Sequence, residues 1–342
     1  MTDFFARPVF RVENESFTWR DILLFTHRQG RWIPLLEGIT DGMAAARHAE
    51  TDADDDELDD LVETAAAEFR YDRELITAEE TEAWLSARGV TASEWMECIR
   101  RQVLRTRYAE RLPELRQSWA PSRAELEDAV RVELSCTSLG QRLAEACAEQ
   151  AAAAAAVGAL NDAPAPPPLP SPLPAGLDHE YTHRRLPLIE AVAQGVERFR
   201  RLTVTDEAMG REVRQHKMEW VRLECRTVTF PDLVQAREAA MCMREDGLDL
   251  VEVAASAHRD VAETRLYVDD LDQGLQPLLL SAMPGDVIGP TLIGESHTLF
   301  CVLSKTLPAE SDPELRARAA DRLLARALAK AGREGTQWLI HR

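Results

Sequence analysis

Positive charge is what this chain is short of. Its 342 residues carry 40 Lys and Arg against 59 Asp and Glu, a formal net charge of −19. Nucleic acid and anionic membranes are bound through clustered Lys and Arg, so neither is expected as a partner. A basic peptide remains compatible with the charge. Aromatic residues are scarce, at 6%, and the abundance of Ala favours helix. No Cys-x-x-Cys pair occurs among the six cysteines, at 98, 136, 147, 225, 242 and 301. All six fall in predicted helices or strands, the pattern of reduced thiols rather than of a disulfide framework. Met1 to Pro8 lacks a charged segment followed by an apolar one, and no apolar run is long enough to span a bilayer. A cytoplasmic location is therefore expected. The patterns G-x-x-x-x-G-K-[ST], G-x-G-x-x-G and G-x-S-x-G are all missing. The many carboxylates offer no separable acid and base pair.

The length allows two or three domains. Val9 to Val12 alternates as a strand, Glu13 to Ser16 turns, and Thr18 with Asp21 makes a capping-box-like start to a helix carrying Ile22, Leu23 and Phe25. Residues 33–120 read as helical, with further starts at Thr77 and Thr91 and a Gly89 stop between them. Trp19, Trp32, Trp84, Trp95 and Ile99 are assigned to the core. The acidic run from Glu50 to Glu63 reads as a solvated helix face, with a dock for a basic segment as the alternative. Ala151 to Ala156 has high helix propensity but little to bury, and is expected to fray. Ala163 to Pro174 is too rich in proline for helix or central strand and reads as a polyproline II linker, or else as an internal mock substrate. His179 and His183 stand at H-x-x-x-H spacing, which on a helix places two imidazoles on one face. A third ligand cannot be nominated, so no metal site is assigned. Helix returns over 177–216. Asp312 and Pro313 open another helix, and Thr336 to Ile340 forms a last strand able to pair with Val9 to Val12.

Between Trp220 and Pro308 the order is strand, amphipathic helix (Leu233 to Arg244), Gly247-Leu248-Asp249-Leu250 opening a shorter helix, Pro284-Gly285-Asp286-Val287-Ile288-Gly289-Pro290, and the apolar run Thr298 to Leu303. This order resembles a parvulin-type peptidyl-prolyl isomerase domain, as in chaperones of the SurA kind. The strand, polar turn, Thr and helix at the start of the chain are similar to the SurA opening. The resemblance implies an α+β fold. A helical SurA-like domain would occupy 1–160, a Pro-rich linker 161–176, helices completing the first domain 177–216, and a parvulin-like domain with a small antiparallel sheet 217–308. A helix and strand over 309–342 would pack back on the first domain.

Parvulins set two imidazoles near the middle of their sheet. Carried over residue by residue, Leu223 stands at the first of these positions and Thr298 at the second, with His297 one residue off and so on the opposite side of the strand. The Phe before the Pro-Gly turn falls on Leu279. The resemblance thus implies a groove without its polar centre. The chain is similar to the peptide-maturation proteins of pathways for ribosomally made, modified peptides, among them those of pyrroloindoline (crocagin) biosynthesis. That resemblance implies a non-catalytic protein, needing no cofactor, that binds a precursor peptide and presents it to tailoring enzymes. The candidate contacts are Trp220, Arg222, Leu223, Leu279, Thr298 and Phe300. An active prolyl isomerase and a general chaperone are the alternatives.

Overall fold

The computed structural model describes residues 3–50, 56–162, 168–169, 173 and 176–340. The acidic residues 51–55 and most of the proline-rich stretch lie outside the described residues, and so do the linker readings placed on them. The chain divides into two compact units, Met1–Arg201 with Ala327–Arg342, and Leu202–Arg326. The class is α+β, mostly helical, with two small antiparallel sheets.

In the first unit β1 (Pro8–Val12) lies between β2 (Glu15–Thr18) and β7 (Thr336–Trp338), both antiparallel to it. Phe10 pairs with Trp338 and Val12 with Thr336, so the two ends of the chain close one sheet, as the alternating runs at each end predict. The helices are α1 (Trp19–Arg28), α2 (Trp32–Ala49), α3 (Asp56–Tyr71), α4 (Ala78–Arg88), α5 (Ala92–Arg107), α6 (Leu112–Ser118), α7 (Arg123–Cys136), α8 (Ser138–Ala156) and α9 (His179–Thr203). Capping boxes start four of them: Thr18 with Asp21, Thr77 with Glu80, Thr91 with Glu94, and Ser122 with Glu125. Each pairs two otherwise unpaired backbone donors at a helix start.

The alanine run does not fray. Ala151, Ala152, Ala153 and Ala154 are all buried inside α8. Small side chains let neighbouring helices approach closely. A Cβ built on Gly195 of α9 would lie 2.4 Å from Ala154 Cβ, and one on Gly332 would lie 2.7 Å from Glu149 Cγ. Hydropathy reads these alanines as weak, whereas the packing uses them as the seam of the first core, beside Phe10, Phe17, Ile22 and Leu23. A second core gathers Phe69, Leu85, Trp95 and Ile99.

The second unit contains α10 (Asp206–Gln215), β3 (Arg222–Phe230), α11 (Leu233–Glu245), α12 (Leu250–Ser256), β4 (Val261–Tyr267), α13 (Gln276–Ser281), β5 (Val287–Ile293), β6 (Ser296–Thr306) and most of α14 (Pro313–Gly335). Its sheet has the order β4-β3-β6-β5, all antiparallel. The boundaries fall at 201/202 and 326/327, within α9 and α14, rather than at 217 and 309. Val213 of α10 packs with Trp220, Tyr267, Leu315 and Ala319. The buried Glu212 carboxylate accepts two bonds from Arg326. These contacts group α10 and the start of α14 with the sheet. No helix among the described residues is long and apolar enough to cross a membrane.

Candidate functional site

The register of β3 and β6 decides whether the positions predicted for the groove meet. Leu223 stands opposite Lys305, and Thr298 stands opposite Thr229. Alternation places Leu223 and Thr229 on one face of β3, but six residues apart they are separated by about 20 Å at the usual rise of a strand. The two positions matched to an imidazole pair are therefore on the same side of the sheet and not together. Each short motif fixes a strand locally, whereas the pairing, with an irregularity between Glu224 and Cys225, fixes which residues face each other. Val261 to Tyr267 forms the edge strand β4. Three of its seven residues are exposed and only Tyr267 is buried, so it lacks the apolar period that reveals a strand.

The predicted contacts are mostly core. Leu223, Leu279 and Phe300 are brought together, but inside one buried cluster with Val221, Cys225, Leu275 and Val302. The segment around α13 fills the space over that half of the face with the chain's own leucines. Trp220 is fully buried in a different cluster, its indole N–H donating to Asp269 Oδ2 at 2.9 Å. Thr298 is 7% exposed, its hydroxyl oxygen 3.5 Å from that of Thr229. Arg222 alone is half-buried, 3.9 Å from the Asp312 carboxylate. Five of the six thus present no surface to a ligand in this conformation. The uncovered end of the face carries hydroxyls: Thr227 and Thr264 lie 3.2 Å apart beside the Thr229–Thr298 pair. His297 stands opposite Phe230, which packs on the helix-covered side with α11. His179 and His183 are exposed on the first turns of α9. Among the described residues no group of three His, Cys, Asp or Glu side chains is placed to hold a metal.

The first unit holds a cleft of about 730 Å³. Its lining comes from the chain start (Phe4, Arg7, Trp19), the turn after α3 (Asp72, Arg73), α4 (Trp84, Arg88), the junction of α7 and α8 (Leu134 to Ser138), and Trp338 to Ile340. Arg73 and Arg88 are interleaved with rings. The Arg73 guanidinium carbon lies 3.7 Å from the Phe69 ring centre and 5.8 Å from that of Trp84, and the Arg88 guanidinium carbon lies 3.8 Å from the same Trp84 ring. Phe69 meets Trp84 edge-on. Their donors turn partly to helix ends. Arg73 donates to the carbonyls of Phe69 and Cys136, and Arg88 to that of Trp84, where the negative ends of the α3, α7 and α4 dipoles favour cations.

Burial pulls both guanidinium pKa values below the usual arginine value. Asp72 and Cys136 oppose that for Arg73, while for Arg88 the nearby Arg73 adds to the lowering. The Cys136 thiol is pushed up to about 12 by burial and by Glu133, so it is protonated at neutral pH and is not a nucleophile. Sequence reading missed this cleft because it assigned Trp84 wholly to the core. The signal present was Trp84 and Arg88 four apart on one helix, a spacing that stacks side chains. Arg73 gave none. The sequence matches no protein-family model, and no curated protein matches it.

Proposed function

We propose that this chain binds a precursor peptide without transforming it, and presents it to tailoring enzymes, as a SurA-like protein with a degenerate parvulin-like unit. The observation that carries the reading is the sheet of the second unit. Its order β4-β3-β6-β5, with α11 and α12 between β3 and β4, fits the order of elements in the parvulin resemblance. Across β3 and β6 the face opposite those helices carries Thr227 and Thr229, with Thr298 and Phe300 buried beneath, and no imidazole. Prolyl isomerisation needs no nucleophile, but the polar centre expected for it has no counterpart here.

Because five of the six predicted residues are buried, we assign the peptide instead to the cleft of the first unit. Its volume is within the range of ligand pockets, and its lining of rings with a few directed polar groups is of the binding kind. Co-elution tests the reading. The full chain, mixed with the precursor peptide encoded beside its gene, carries that peptide into its own fraction on size exclusion. A peptide that elutes alone overturns the proposal.

A further inference from the structure

The cleft carries a charge opposite to that of the chain around it. On a protein of net charge −19, Arg73 and Arg88 approach the same Trp84 ring, and among the described residues neither forms an ion pair. The Arg7 guanidinium lies 3.5 Å from where a Cβ on Gly89, next to Arg88, would sit. A guanidinium has five N–H donors. Arg73 spends two contacts on backbone carbonyls and Arg88 one, so donors remain on both. Two half-buried cations held near each other repel, and the repulsion is relieved by an anion between them. The N-terminus of α8, a helix of 19 residues, opens into the same cleft through Thr137 and Ser138, and its dipole has the same sign. Among the described residues Asp72 is the one carboxylate on the lining, at the exposed rim.

We infer that the cleft recognises an acidic peptide segment, with carboxylates on Arg73 and Arg88 and alternate apolar side chains on the partly exposed Trp84 and Trp338. This rests on the peptide-binding reading and names the chemistry of its ligand. It reverses the expectation that net charge alone suggests, that of a basic partner. At physiological salt the field of the distant acids is screened beyond about 8 Å, so the contacting arginines decide. Planar guanidinium forks suit carboxylates because both hydrogen bonds form at once.

Fluorescence anisotropy of the full chain tests it, using labelled Glu-Leu-Glu-Leu-Glu-Leu and its Gln-for-Glu counterpart. The Glu peptide binds at least tenfold more tightly. Arg88→Gln and Arg73→Gln each reduce that preference to threefold or less, while Arg259→Gln, at an exposed position of the other unit, leaves it intact. Equal affinity for both peptides, or a preference surviving Arg88→Gln, overturns the inference even where the natural precursor co-elutes. Inorganic phosphate that displaces the Glu peptide completely, at matched ionic strength, makes this a small-anion site and overturns the peptide assignment. Should Arg73→Gln unfold by circular dichroism, Arg88→Gln, which gives up one backbone hydrogen bond rather than two, decides. Failure of both peptides to bind also overturns the inference. The precursor reading stands or falls separately, by co-elution.

Discussion

Thr229 and Thr298 face each other across β3 and β6, their hydroxyl oxygens 3.5 Å apart, at the uncovered end of the second sheet. A hydroxyl pair can hydrogen-bond a backbone, but at neutral pH it does not titrate as imidazoles do. The full chain is therefore expected to leave the cis–trans relaxation of a short Ala-Pro peptide at its uncatalysed time, tens to hundreds of seconds at 25 °C. A rate rising in proportion to protein concentration contradicts this.

Asp21 joins a helix start to a distant helix. Its carboxylate accepts from the Thr18 backbone N–H at 2.8 Å and hydroxyl at 2.9 Å, and from Arg185 Nε at 2.7 Å. The Asp21 side chain is 1% exposed and that of Arg185 19%. Removing one partner of such a pair strands the other. Asp21→Asn is expected to destabilise the first unit by about 3 kcal/mol, seen as a lower urea midpoint. A loss under about 0.5 kcal/mol would show the pair to be dispensable.

The alanine seam of α8 predicts a sharp positional contrast. Ala154→Leu and Gly195→Ala force volume into a contact that already stands at 2.4 Å for a Cβ, at a cost of roughly 1–3 kcal/mol for overpacking. Calorimetric melting should fall by several degrees for each. Ala156→Leu, at an exposed position of the same helix, should leave the melting temperature nearly unchanged. Equal effects at 154 and 156 would contradict the packing described.

Cys136 sets an alkaline limit. Its folded pKa is raised to about 12 from 9.0, so between those values the unfolded chain has lost the thiol proton and the folded chain retains it. Stability then falls as pH rises, by about 1.4 kcal/mol per pH unit for one group. The stability advantage of wild type over Cys136→Ala, followed by guanidinium unfolding, should shrink by roughly that amount between pH 9.5 and 10.5. A constant difference across that interval contradicts the burial of the thiol.

Local signals were legible in the sequence, and long-range geometry was not. Thr18, Thr77 and Thr91 announce helix starts because a cap and its acceptor lie three residues apart. The pairing of β1 with β7 could be read because both segments alternate. The strand β4 is half exposed and carries no apolar rhythm. Leu223 and Thr298 were each placed by a motif, yet only the register between β3 and β6 tells that they do not meet. The cleft needed Arg73, Trp84, Cys136 and Trp338 together, residues that no spacing connects. Net charge pointed away from it, because a sum over the chain hides a local reversal of sign.

The claim that the chain holds a precursor peptide and leaves it unaltered is tested most directly by calorimetric titration of the full chain with that peptide, followed by mass measurement of the recovered peptide. Saturable binding with a dissociation constant on the order of 1 μM, about −8 kcal/mol, and an unchanged mass are expected. No binding heat at tens of micromolar, or a changed mass, would contradict it.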